Sequence, residues 1–109
     1  MNANISWIFL LIAGAFEVAW VVALKYSQGF TRLVPSISMV AALFFSMLFL
    51  SLAARNLPLG MSYAVWTGIG TVGGMVAGRF LFAEAANPMQ IFFAALIVVG
   101  IAGVKFAAD

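Results

Sequence analysis

Residues 13–24 read AGAFEVAWVVAL. Apolar residues continue on both sides, from about Asn4 to Tyr26, the length a helix needs to cross a bilayer. Glu17 alone interrupts the run. An ionisable side chain at the centre of a membrane helix costs about 2.5–3.5 kcal/mol on insertion scales. It lies too deep to snorkel, and Lys25, two turns on, is too far along the helix to pair with it locally. Helical spacing places Ala13, Gly14, Glu17 and Trp20 on one face. Small residues, an acid and an aromatic in that order read as the wall of a polar cavity. The bland alternative is a protonated glutamate serving as interhelical glue. Intramembrane acids more often carry ions or protons, so Glu17 is expected to be a proton or cation site.

Composition agrees with a membrane setting. The chain has 109 residues, 66% of them hydrophobic and 7% charged, with mean hydropathy +1.19. A soluble domain this small could not bury so much apolar surface. The net charge of +2 comes from five basic and three acidic side chains. The basic ones fall where hydrophobic segments end, so no nucleic-acid surface is expected. Cysteine and histidine are absent, which removes disulfides, thiolate and imidazole chemistry and the usual zinc or haem ligands. No metal, cofactor or enzymatic activity is expected. The opening MNANISW lacks a positive stretch and does not read as a signal peptide.

Four hydrophobic segments can be drawn, at about 4–26, 31–54, 58–82 and 88–105, giving an all-α fold of four transmembrane helices in one membrane domain. Ser27-Gln28-Gly29 stops the first. Pro58 suits the first turn of the third, and Asn87-Pro88 starts the fourth. Short connections make neighbouring helices antiparallel. Arg55 and Lys105 then lie at one membrane face, and Lys25, Arg32 and Arg79 at the other. Two against three gives the positive-inside rule almost nothing to act on. Such a chain could insert both ways and pair as an antiparallel homodimer, imitating the inverted repeats of larger transporters. Two Glu17 carboxylates could then share a cavity, where burial and like charge oppose full ionisation. A pair of that kind can hold protons or one organic cation, but not readily both.

A second constellation is GMSYAVWTGIGTVGGMVAG, residues 60–78. Tyr63, Trp66 and Thr67 share a face through i+3 and i+4 spacing. Gly70, Gly74 and Gly78 continue at four-residue intervals, with Gly68 and Gly73 nearby. Such stripes allow close helix packing or a mid-helix bend. The aromatic rings would suit an organic cation. Ser46, mid-helix in the second segment, could join the network or simply bond its own backbone. The basic residues read first as membrane-edge anchors. The fourth segment, with Gly100 and Gly103, offers a substrate nothing and is free for dimerisation.

These stretches together resemble the small multidrug resistance family. The similarity rests on AGAFEVAWVVALKYSQGFTRLVPS and LPLGMSYAVWTGIG, in order, and covers essentially the whole chain. It implies a dual-topology antiparallel homodimer in a bacterial inner membrane, exporting cations against protons by alternating access. Trp20 in EVAW and the WTG at 66–68 are similar to the guanidinium-exporter subtype; a quaternary-ammonium exporter is the alternative. By resemblance, Glu17 would ligate guanidinium, and Gly14, Trp20, Ser46, Tyr63, Trp66 and Thr67 would line or support the site. Ser46 and Trp66 would orient the carboxylates, the Gly68–Gly70 stretch with Gly74 would bend the third helix, and Lys105 would sit near a portal. Arg79 and the loop FAEAANPMQ, residues 82–90, match no role. A proton-carrying or structural membrane subunit also keeps one buried carboxylate, and a passive channel is a third class.

Overall fold

A computed structural model describes residues 3–108. Four helices make the fold: α1 (Ala3–Tyr26), α2 (Leu33–Ala54), α3 (Leu59–Leu81) and α4 (Pro88–Ala108). α1 packs against α2 and α3, while α2 and α3 meet only briefly and α4 leans along α3. The result is a slab, 42 × 34 × 16 Å between Cα extremes.

Each turn has a local cause. Ser27 ends α1 and staples the first connection: its hydroxyl donates to the Leu24 carbonyl at 2.6 Å and accepts the Phe30 N–H at 3.2 Å. Its carbonyl takes the N–H groups of Thr31 and Arg32 at 2.9 and 3.1 Å. Those two residues are thereby held in the turn, so α2 begins at Leu33 instead of Thr31. Gln28, Gly29 and Phe30 all have positive φ, at 50°, 72° and 67°. Pro58 is the extended residue before α3, with ψ 140°, and the helix starts one position later than its sequence suggests. At α4, the Asn87 side chain accepts the Gln90 N–H at 2.8 Å, and the Gln90 side chain accepts the Asn87 N–H at 3.2 Å. This reciprocal cap, with Pro88 in the first helical position, satisfies donors that a helix start leaves open.

Among the described residues, three helices are long and apolar enough to cross a membrane: Asn4–Tyr26, Leu33–Ala54 and Pro88–Ala107. α3, expected as a fourth, has the length, at 23 residues. Its glycines, hydroxyls and Arg79 dilute its apolar character, and composition alone does not mark it as a span. Much of the outer surface is apolar, with the charged side chains set toward the helix ends. Leu33, Phe80 and Phe106 are at least 73% exposed, a surface that water would not tolerate and lipid would.

Packing is tightest at the end of the slab that holds the 55–58 turn. Leu10, Ala53, Leu57 and Val65 form the core there, with Trp7, Leu50 and Met61 against it. Phe16 stacks on Phe49 with ring centroids 6.0 Å apart, joining α1 to α2. Buried serines sit among these contacts: Ser6, Ser46 and Ser62 are fully enclosed. Small and hydroxyl side chains suit membrane helices, where association depends on close approach and not on expelling water. Toward the other end, α1 and α3 part.

Candidate functional site

The parting leaves a cleft of about 500 Å³ between the C-terminal halves of α1 and α3. Glu17 lies at its floor, 8% exposed. The carboxylate accepts a hydrogen bond from the Trp20 indole N–H, one turn along the same helix. Among the described residues no lysine or arginine pairs with Glu17. One indole donor leaves most of the carboxylate's acceptor capacity open to a ligand.

Glycines decide how close α3 comes. A Cβ on Gly70 would stand 2.5 Å from Glu17 Cγ and 3.3 Å from Oε2, so the bare backbone there makes room for the acid. A Cβ on Gly73 would run into Val18. Gly74 also lines the cleft, and a Cβ there would meet nothing within 4 Å. Thr67 and Thr71 contribute hydroxyl groups to the wall, each bonded at 2.8 Å to a carbonyl one turn back.

Of the residues expected at the site, Glu17, Thr67, Gly70 and Gly74 line this cleft, and Trp20 touches it through Glu17. Gly14 does not line it. A Cβ on Gly14 would come within 2.7 Å of Ile69, so this glycine lets α1 and α3 approach below the cleft. Gly68 faces Ile101 at 2.7 Å by the same measure and serves the α3–α4 contact. α3 runs unbroken through Gly68, Gly70 and Gly74.

Ser46 and Trp66 bond to each other, and Ser46 to α1. The Ser46 hydroxyl donates to the Ala13 carbonyl of α1 at 2.8 Å and accepts the Trp66 indole N–H of α3 at 2.8 Å. Both are committed to each other and to backbone, and neither is bonded to Glu17. Their junction holds three helices in register one turn below the acid. Tyr63 packs on Trp66 with ring centroids 5.6 Å apart and is 56% exposed. Lys105 lies over the Trp7 ring at 5.3 Å, at the end of the slab away from the cleft mouth. Replacing Ser46 by alanine is expected to lower stability by about 1–3 kcal/mol, because it strands the part-buried Trp66 indole donor. Thermal unfolding in detergent measures this; an unchanged midpoint would show that the junction carries no weight.

Sequence reasoning did not place Lys25, Thr71, Phe82 or Glu84 at the cleft. Lys25 stands two turns above Glu17 on the same face, a spacing that could have flagged it. Nothing local points to Glu84, which reaches the cleft from the α3–α4 loop.

The fold and site define a multi-helix membrane protein with one acid buried in a cleft and, among the described residues, no basic side chain paired with it. No His/Cys/Asp/Glu cluster that could hold a metal occurs among the described residues. Residues 5–97 match the family model described as Small Multidrug Resistance protein, and the chain belongs to that family. It is 53% identical over 102 residues to the guanidinium exporter of Escherichia coli (strain K12), covering 94% of this chain and 97% of that protein. The guanidinium exporters of Citrobacter freundii and Salmonella typhimurium match it to the same extent.

Proposed function

We propose that this protein is a proton-coupled antiporter of the bacterial inner membrane that exports guanidinium or closely related small cations. The observation that carries the reading is Glu17 at the floor of the α1–α3 cleft with acceptor capacity to spare. Identity to named guanidinium exporters over nearly the whole chain supports the choice of cation.

The chemistry follows from the acid. Guanidinium is planar and permanently charged, so it cannot cross a bilayer by losing its proton. A carboxylate meets it with two parallel N–H···O bonds. Protonating Glu17 removes the charge that holds the cation, so proton and cation exclude each other at one site. That exclusion, with a site open to one membrane face at a time, suffices for exchange. Trp20 fixes one carboxylate oxygen through its indole N–H and sets the orientation of the other. Ser46 and Trp66 act behind the site by locking helix register, Tyr63 packs on Trp66 there, Thr67 offers a hydroxyl in the cleft wall, and Gly70 admits the carboxylate.

The working unit is an antiparallel homodimer with both copies spanning the membrane by four helices. Near-balanced flanking charges support dual insertion. The 16 Å slab leaves the cleft open on one side, as half a site would be. α4 meets the rest of the chain almost wholly through α3, leaving Gly100 and Gly103 clear of other side chains and available to a second copy.

Proteoliposomes with an internal acid pH test the reading. Externally added guanidinium is expected to drive proton release, and tetraphenylphosphonium is expected to do so poorly, since the indole beside Glu17 narrows the approach. Preference for the bulky aromatic cation would favour a quaternary-ammonium exporter. Guanidinium flux without proton movement would mark a channel, and neither flux a structural subunit.

A further inference from the structure

The loop after α3 has no part in the chemistry above, yet it walls the mouth of the cleft. Phe82 and Glu84 line the same cavity as Glu17. The Glu84 carboxylate pairs with the Lys25 ammonium at the end of α1. The same ammonium lies 5.0 Å from the centre of the Phe82 ring. Tyr26 also packs on Phe82, ring centroids 4.8 Å apart.

This geometry is built, not incidental. The Glu84 N–H donates to the Gly78 carbonyl at 3.0 Å, and Ala83 takes a left-handed φ of 53° to turn the chain back. A Cβ on Gly78 would collide with the Glu84 carboxylate, so the missing side chain lets the acid fold over the end of α3. A carboxylate and an aromatic face thus grip an ammonium ion that the protein itself supplies. Those are the groups that recognise an organic cation. Both partners are half exposed, at 51% and 48%, and exposed ion pairs are individually weak and exchangeable.

We propose that Glu84 and Phe82 form an outer cation site at the cleft mouth, where a guanidinium-type cation displaces the Lys25 ammonium on its way to or from Glu17. The proposal rests on the transport reading. Lys25 is then a tethered competitor: it keeps the site closed to weakly held inorganic ions and yields to a planar cation that can bond the carboxylate twice.

The test compares initial rates of guanidinium-driven proton movement at low ionic strength for native protein, Glu84→Gln, Lys25→Gln and the Lys25→Glu/Glu84→Lys pair. Glu84→Gln is expected to raise KM about fivefold and Lys25→Gln to lower it, each by the scale of one exposed charge contact, with kcat little changed. Opposite directions are the signature. A purely structural ion pair moves both variants the same way and is restored by the charge-reversed pair; either result overturns the outer site. Native protein that moves no guanidinium would instead overturn the transport reading. A second measurement needs no Lys25 or Glu84 variant. In Glu17→Gln, with the inner carboxylate gone, guanidinium is expected to shift the side-chain ammonium resonance of Lys25 and leave that of Lys105 in place. An unmoved Lys25 signal would refute the site.

Discussion

Glutamine at position 17 is expected to abolish guanidinium-driven proton movement while the protein still folds and inserts. The amide keeps the shape of the side chain and can still accept the Trp20 indole hydrogen bond. It loses the charge, and with it both the proton site and the paired acceptors for the cation. Truncating one partner of a buried, hydrogen-bonded charge pair costs about 2–5 kcal/mol, or roughly 30-fold to several-thousandfold in affinity. Native and Glu17→Gln proteoliposomes measured side by side give the answer. A variant that still exchanges protons for guanidinium would remove Glu17 from the centre of the mechanism. Aspartate should retain coupled exchange with weaker binding, because the carboxylate survives but withdraws from the cleft by one methylene.

Alanine at position 70 should impair transport nearly as visibly, without touching a charge. Its Cβ would fall 2.5 Å from Glu17 Cγ, so the acid must leave its rotamer or α1 and α3 must separate. Overpacking of this kind costs about 1–3 kcal/mol, which corresponds to roughly 5- to 150-fold if it falls on the binding-competent state. Alanine at position 74 makes the matched comparison, on the same stripe and facing open space. There the helix should gain about 0.5–1 kcal/mol, and because the added methyl enters the cleft without meeting Glu17, any loss of cation binding should be smaller than at position 70. Guanidinium binding and thermal unfolding of the two variants separate the effects. Equal damage at both positions would mean that α3 must bend at its glycines, and that contact with Glu17 is secondary.

The sequence carries some of these relationships and hides others for a physical reason. Glu17 and Trp20 sit one helical turn apart, so their hydrogen bond is legible from spacing alone. The cap at Asn87, Pro88 and Gln90 is equally local. Ser46 was visible as an out-of-place hydroxyl, but its partners on α1 and α3 depend on how three helices slide past one another. The glycines show the same limit. Their spacing announces a packing stripe, yet Gly14 meets Ile69, Gly68 meets Ile101 and Gly70 meets Glu17, and only the assembled helices assign each one. Lys25 and Glu84, 59 positions apart, meet because a loop folds back, which no periodicity encodes. α3 is the opposite case. The residues that build its cleft-facing wall are those that make it read as a weaker membrane segment.

The turn after α1 bears on how such a protein can move. Three successive residues, Gln28, Gly29 and Phe30, hold left-handed backbone angles, and only the glycine does so without steric cost. Two such residues persist because Ser27 binds the turn from both ends. A hinge needs backbone angles with somewhere to go, and this turn is already in a narrow well. The turn and the stacked phenylalanines thus tie α1 to α2. In the proposed exchange cycle, opening Glu17 to the other side of the membrane would fall to the joints that are left, the α1–α3 contact at the glycines and the pairing of the 82–87 loop with Lys25.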